Sequence, residues 1–296
     1  MALFKIVLLF TLLALFMVAI GGVLGLFLGS FYLVMGLMFI FAISLNVFFY
    51  YKSDTIALRM TGSRIISKNE NPRFYAIVKK VSEEAGIPLP KVGIMNSSVP
   101  NAFATGRDEK HSVVVATTGI LEMLDDSELE SVIGHEISHV THRDILVTTI
   151  AAAIATIVSY IGNIMLFSML FNNSSDNNLG FLVILSAILI PIGAMFVQLG
   201  ISRSRESYAD VGSVKLVKKP NELISSLKKI SGVSVNTLPK TATRPAPQAT
   251  SFSSLFIVNN LSTHSLTNLF STHPPLEKRI ETIKKTAKEL GLAVYE

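Results

Sequence analysis

One segment of the chain, His135-Glu136-Ile137-Ser138-His139, has residue types and spacing that can hold a metal ion and activate water. On a helix, residues four apart lie on one face about a turn apart, so both imidazole rings can reach one metal ion. Glu136 follows the first histidine and can accept a proton from water that the metal activates. The alternative is a chance match on a solvated helix, but histidine is rare here, 6 residues in 296. We therefore interpret the segment as a zinc motif of a hydrolytic enzyme.

The flanking residues predict the helix that this motif needs. Ser127-Glu128-Leu129-Glu130 has the form of a capping box, and the preceding Asp125-Asp126 adds negative charge at the helix N-terminus. An apolar stripe that can bury against a small core follows, formed by Leu129, Val132, Ile133, Ile137 and Val140.

A catalytic zinc ion needs three protein ligands and one open position, and no third histidine lies at a suitable short spacing. His139 lies six residues before an uncharged run that begins at Ile145, and Glu206 lies five residues after another that ends at Ile201. If these two runs form a hairpin, both side chains emerge on the same side at similar height. Glu206 is therefore the predicted third ligand.

Asp210 lies one helical turn after Glu206, where it can hydrogen-bond to a ligand histidine. The alternative is that both acids lie on a helix surface near Arg203 and Arg205.

Composition indicates a membrane protein. Half of the residues are hydrophobic, 16% are charged, and the mean hydropathy is +0.51. The net charge of +5 does not predict nucleic-acid binding, because no basic cluster is interleaved with aromatic residues. With no cysteine there is no disulfide framework, and any metal site must use nitrogen and oxygen ligands.

Three uncharged runs define the domain organisation. The run from Ile6 to Tyr51 would be about 69 Å long as a helix, roughly two hydrocarbon cores, and a turn is expected near residues 25–30. A cleaved signal peptide is excluded by this length and by the single Lys5 before the run. Four spans result, with spans one and two in residues 1–51 and spans three and four in 145–201. Residues 52–144 and 202–296 form two parts of one catalytic domain.

The distribution of basic residues predicts the orientation. Of 26 Lys and Arg, 1 precedes span one, 11 lie between Lys52 and Arg143, and 14 follow span four. The positive-inside rule then places both termini and both polar segments in the cytoplasm.

The first polar segment predicts a helix and a small sheet. Asn71-Pro72 begins a helix with Phe74, Ile77, Val78 and Val81 on one face, and residues 91–95 and 112–117 read as strands. Between them, Asn101-Ala102-Phe103-Ala104-Thr105-Gly106 is either a plain edge strand or an edge that pairs with an extended peptide substrate. The spacing of these residues does not decide between the two interpretations.

Four motifs occur among the four predicted spans: residues 101–106, the segment from His135 to His139, Glu206 with Asp210, and His273-Pro274-Pro275 near the end of the chain. In this combination the chain resembles the HtpX family of membrane zinc metalloproteases, which are relatives of the CAAX-prenyl proteases.

The resemblance implies a mainly α membrane protein with a gluzincin-like catalytic domain and a small β-sheet. It implies one zinc ion bound by His135, His139 and Glu206, and Glu136 as general base. Residues 101–104 resemble the substrate-binding strand of the family. His273 resembles a late histidine that approaches the zinc or stabilises the oxyanion, although it could equally cap the helix before Pro274. Arg203 is a second candidate for stabilising the oxyanion.

The resemblance further implies a bacterial inner-membrane location and a stress-linked quality-control function. The expected partners are the bilayer, membrane-protein and unfolded-polypeptide substrates, and other membrane quality-control proteases. A catalytically silent membrane scaffold or chaperone is the alternative, but a scaffold has no need of Glu136 and Glu206. A transporter is disfavoured because the spans carry almost no ionisable residue.

Overall fold

The computed structural model describes residues 2–27, 29–142, 146–147, 149–151, 154, 203–232 and 274–295. His273, span four and most of span three lie outside these residues.

The chain begins with two apolar helices, α1 (Ala2–Phe27) and α2 (Phe31–Thr61), which pack against each other. They are joined through Gly29 and Ser30, and the Ser30 N–H donates to the Gly25 carbonyl at 2.9 Å. A Cβ on Gly25 would lie 2.7 Å from Phe31 Cα, so the close approach of the helices requires glycine there. The turn lies within the range that the sequence indicated.

Helix α2 is the one helix among the described residues that is long and apolar enough to cross a membrane. Helix α1 contributes a shorter apolar stretch, Ile6–Gly22. The other three of the four predicted spans therefore stay predictions. Helix α2 also continues to Thr61, ten residues past the end of the uncharged run, so the span and the start of the polar segment form one continuous helix.

A four-stranded mixed sheet follows, in the order β1 (Ser63–Ile65), β2 (Lys91–Met95), β4 (Ser112–Thr117) and β3 (Ala102–Gly106). Strand β2 is parallel to β4, whereas β1 and β3 are antiparallel to their neighbours. The predicted strands 91–95 and 112–117 are confirmed with the same bounds.

Helix α3 (Pro72–Glu84) confirms the predicted start at Asn71-Pro72, because the Asn71 side chain accepts a hydrogen bond from the Phe74 N–H. Its four predicted core residues are buried. A short helix, α4 (Thr118–Met123), leads from β4 to α5 (Asp126–Thr141), which carries the metal-binding motif.

The predicted capping box of α5 was placed two residues too late. The N-cap is Asp125, whose carboxylate accepts from the Glu128 N–H, while the Glu128 side chain accepts from the Asp125 N–H. Ser127 Oγ instead accepts from Lys219 Nζ. The aspartate was preferred because it both caps the helix and adds charge at its N-terminus.

Three helices follow from the second half of the chain: α6 (Arg203–Val217) and α7 (Pro220–Gly232) pack on α5, and α8 (Leu276–Glu289) packs on α6 and α7. The predicted stripe of α5 is completely buried in the core that they share with α3. Glu130 of α5 is buried between two lysines, accepting from Lys80 Nζ at 2.8 Å and from Lys219 Nζ at 3.1 Å. These contacts tie α5 to α3 and to the start of α7.

A second core joins the sheet to the N-terminal helices. Phe103, Val113 and Val115 on one face of the sheet share this cluster with Leu13 of α1 and Phe49 of α2. Ala102 and Ala104, on the opposite face of β3, belong to the core around α5. Strand β3 therefore lies between the hairpin and the helix that carries the metal-binding motif.

Candidate metal centre and active site

Helix α5 presents its motif toward α6. His135 and Glu136 are 2% and 4% exposed, and the rings of His135 and His139 meet edge to face with centroids 4.9 Å apart. The spacing of four places both rings on one side of the helix.

Two glycines let α5 and α6 approach closely. A Cβ on Gly134 of α5 would lie 2.6 Å from Val217 Cγ2, and a Cβ on Gly212 of α6 would lie 2.0 Å from Ser138 Oγ. A larger residue at Gly134 would have to displace the side chains of Val217 and Ser213, and one at Gly212 would also clash with Ser138 Cβ, 2.8 Å away. This close contact brings the first turns of α6 against the two histidines.

The structure brings together the three side chains that the sequence assigned to the metal. Glu206 Oε2 lies 3.6 Å from His135 Nε2, and Glu206 Oε1 lies 3.6 Å from His139 Nε2. Ligand atoms of the three residues lie within 4.8 Å of one another. A tetrahedral ion with bonds of about 2.1 Å holds its ligands about 3.4 Å apart. The group therefore fits a tetrahedral metal ion, with a fourth position for water or substrate.

Asp210 occupies the position that the sequence predicted. Its Oδ1 lies 3.0 Å from His135 Nδ1, so the second ring nitrogen of that histidine is held while Nε2 faces Glu206. A carboxylate in this place fixes both the tautomer and the orientation of a ligand histidine.

Sequence reasoning missed Arg279, which lies on α8 beside this pair. Its Nη2 donates to Asp210 Oδ1 at 2.6 Å and its Nε donates to Asp210 Oδ2 at 2.9 Å. Arg279 is 2% exposed. A signal was present, since Arg279 precedes the buried Ile283 by four residues and Ala287 by eight, and so lies on the apolar face of its helix.

Burial and charge perturb the protonation of this group strongly. Burial alone would lower the pKa of His135, but the neighbouring carboxylates of Asp210 and Glu206 outweigh it and raise the pKa to about 9. Burial raises the pKa of Glu136 to about 8, an effect that the charge of His135 partly opposes. The site thus stabilises positive charge at His135, as a site for a divalent cation must.

Glu136 contacts the proposed substrate strand directly. Its Oε2 accepts a hydrogen bond from the Ala104 N–H at 2.9 Å. The Asn101 carbonyl accepts from the Thr117 N–H of β4, so the alternating antiparallel pattern turns the N–H of Ala104 away from β4. Ala104 therefore presents its polar backbone at the sheet edge beside the carboxylate.

The remaining predicted residues have different positions. Asn101 is buried, and its N–H donates to Thr117 Oγ1. Phe103 points into the cluster with α1 and α2, away from the metal site. Arg203 begins α6, but its side chain lies outside the described part of the structure, as does His273.

Comparison with known proteins bears on the class of this site. A crystal structure of S. mikatae Ste24p is similar with a TM-score of 0.48 and 16% sequence identity, and the match covers 82% of this chain and 57% of that chain. The chain is 44% identical over 278 residues to a protease HtpX homolog of Thermococcus kodakarensis, which covers 90% of this chain and 93% of the relative. It is 38% identical over 290 residues to a protease HtpX homolog of Pelotomaculum thermopropionicum, and this match covers 96% of this chain and 98% of the relative.

Residues 68–287, which include all of the side chains of the site described above, match the model of peptidase family M48. The resemblance to the HtpX family that the motifs indicated is thereby confirmed. This chain therefore belongs to peptidase family M48, alongside the HtpX homologues, and is a metalloprotease.

Proposed function

We propose that the protein is a membrane-embedded, zinc-dependent endopeptidase that holds one Zn²⁺ through His135, His139 and Glu206. The observation that carries the proposal is the spacing of the ligand atoms, 3.6 Å from Glu206 to each histidine, with His135 Nδ1 already held by Asp210. A carboxylate that merely paired with two histidines would approach to a hydrogen-bonding distance of about 2.8 Å. The wider spacing instead suits coordination.

When bound, the ion would supply Lewis-acid activation of the scissile carbonyl and of the attacking water. Glu136 acts as general base, because it is buried beside His135, and burial raises its pKa and so makes the carboxylate a stronger proton acceptor. The same carboxyl group then returns the proton to the leaving amine. Glu136 can also change partner, since its contact with the Ala104 N–H is a single hydrogen bond.

An extended substrate segment would pair with the outer edge of β3. The strand is the last of the sheet, and its Ala102 and Ala104 lie next to α5. Backbone pairing supplies affinity without selecting a side-chain sequence, which suits a protease that acts on many unfolded segments. We assign Asn101, Ala102, Phe103 and Ala104 to substrate binding, Phe103 by anchoring the strand to the hairpin.

The membrane location rests on α2 and on its connection to the sheet. The uncharged part of α2, Phe31 to Tyr51, has a length of about 31 Å, close to a hydrocarbon core. Exposed apolar side chains cover this part of the helix, and Phe49 near its end packs with Phe103 of β3. The substrate edge would then lie near the bilayer surface.

A site in that position suits polypeptide segments that leave, or fail to enter, the bilayer. We therefore assign the protein to quality control of damaged or misfolded membrane proteins, together with other membrane quality-control proteases. We place it in the inner (cytoplasmic) membrane, with four spans and with both termini and the catalytic domain in the cytoplasm. His273, as the resemblance implied, and Arg203 are the candidates for stabilising the oxyanion.

The decisive experiment compares the purified wild-type protein with Glu136→Gln. Both proteins should contain about one zinc ion per chain, because the ligands are unchanged. Hydrolysis of casein or of an unfolded membrane-protein segment should be lost in the variant, because the proton acceptor is gone. A variant with normal zinc content and undiminished cleavage would refute the assignment of the base. A wild-type protein that binds zinc but cleaves nothing would favour a scaffold.

A further inference from the structure

Arg279 is a buried charge that the proposed chemistry does not use. It lies on α8, 69 residues after Asp210 in sequence, and both side chains are almost completely buried. Buried Ile283 and Ala287, one and two turns later on the same helix, anchor α8 in the core against α6 and α7. The position of the guanidinium is therefore set by the packing of a whole helix.

The contact with Asp210 is bidentate. Nη2 donates to Oδ1 at 2.6 Å and Nε donates to Oδ2 at 2.9 Å, so both carboxylate oxygens are engaged. Oδ1 is also the atom that lies 3.0 Å from His135 Nδ1. Such a paired contact restrains rotation of the carboxylate, which a single hydrogen bond would permit.

Two physical effects of Arg279 on a metal ion oppose each other. A guanidinium this close to the site repels a divalent cation, which weakens binding. Holding Asp210 in place strengthens binding, because the histidine ligand stays oriented before the metal arrives. A third possibility is that the ion pair stabilises only the fold.

We propose that Arg279 is a positioning residue of the metal centre, which acts by fixing Asp210 so that His135 Nε2 points at the ion. This inference rests on the proposed zinc site of His135, His139 and Glu206. Arg279 Nη2 also lies 3.4 Å from His135 Nδ1, but its two shorter contacts are both with Asp210, through which we propose that it acts on the metal.

The test is a measurement of metal affinity, by competition for Zn²⁺ against a chromophoric chelator, on the full-length protein in detergent. Arg279→Gln removes the charge and the bidentate geometry, whereas Arg279→Lys keeps the charge and removes the geometry. Lys278→Gln is the matched control, because Lys278 is the exposed neighbour on the same helix. Circular dichroism checks the fold of each variant.

We expect Arg279→Gln to weaken Zn²⁺ binding by about 10–100-fold, the usual effect of losing an outer partner of a ligand. Arg279→Lys should lose most of this affinity too, and Lys278→Gln should bind as the wild type does. In an Asp210→Asn background, Arg279→Gln should change the affinity by less than about twofold, because the residue through which it acts is altered.

Unchanged or tighter binding in Arg279→Gln would overturn the proposal, since repulsion would then outweigh positioning. Equal losses in the Asp210 and Asp210→Asn backgrounds would also overturn it. Unfolding of both Arg279 variants would assign the ion pair to fold stability instead. Different results would refute the proposed function: a wild-type protein that binds no zinc, or a Glu136→Gln variant that still cleaves its substrate.

Discussion

Gly212 offers a sharp test of how the fold builds the metal site, because its Cα lies directly against α5. In Gly212→Ala the new Cβ would lie 2.0 Å from Ser138 Oγ and 2.8 Å from Ser138 Cβ. Rotation of the serine hydroxyl can relieve the first contact but not the second. Carbon atoms normally pack about 3.5–4.0 Å apart, so α5 and α6 must separate by roughly 1 Å at this point.

The separation would act directly on the ligands. Glu206 lies on α6, and its oxygens are 3.6 Å from Nε2 of His135 and of His139 across the interface. An outward movement of roughly 1 Å exceeds the tolerance of about 0.2 Å in metal–ligand distances. We therefore expect Gly212→Ala to weaken Zn²⁺ binding by more than tenfold. Overpacking should also cost about 1–3 kcal/mol of the free energy of unfolding.

The assay is chelator competition for Zn²⁺ together with thermal unfolding in detergent. Gly232→Ala is the control, because a Cβ there meets nothing within 4 Å. It should leave metal affinity unchanged. Adding Ser138→Gly to Gly212→Ala removes both clashing atoms and should restore most of the metal affinity. Wild-type affinity and stability in Gly212→Ala alone would refute the close packing of α5 on α6 as the origin of the site.

Three further predictions address the ligand set, acid stability and topology. Glu206→Ala should lose both zinc and hydrolysis, because two histidines alone bind weakly; retained zinc after dialysis would exclude Glu206 as a ligand. Burial alone would raise the pKa of Glu130, but its hydrogen bonds to two lysines outweigh this and hold the pKa below its usual 4.5. The resulting stability is present above about pH 4.5 and is lost as the pH falls through the folded-state value, so Glu130→Gln should flatten the acid side of a stability–pH curve. An equally steep acid loss in that variant would contradict this. In this cysteine-free chain, Ser127→Cys should be protected from a membrane-impermeant thiol reagent in intact cells, whereas Ser174→Cys should be labelled. The opposite pattern would place the catalytic domain on the other side of the membrane.

The sequence by itself determined the features that depend on local periodicity and on short-range chemistry. Residues 91–95 and 112–117 formed the expected strands, and Asn71 capped the expected helix through a contact only three residues away. The apolar stripe of α5 was readable for the same reason, since a period of 3.6 residues specifies which face is buried. The motif within that helix placed both histidines on one side.

Only the tertiary structure decided features in which distant residues compete for the same group. Both Asp125 and Ser127 can cap α5 locally, but in the folded protein Asp125 is the N-cap and Ser127 Oγ accepts from Lys219 Nζ, 92 residues later. The spacing of Arg279 from Ile283 and Ala287 indicates that it lies on a buried face, but it does not identify Asp210 as the partner, because a charged residue is buried only when a partner from elsewhere is buried with it.

Around Glu136, too, the sequence determines some features and the tertiary structure decides others. The sequence places this residue next to a histidine, but its hydrogen bond to the Ala104 N–H depends on how the edge strand of the sheet meets α5. The placement of Phe103 in one hydrophobic cluster with Phe49 depends in turn on how the sheet meets the hairpin. Local pattern specifies which residues an element buries, whereas the choice of partner is made only when separate elements pack together.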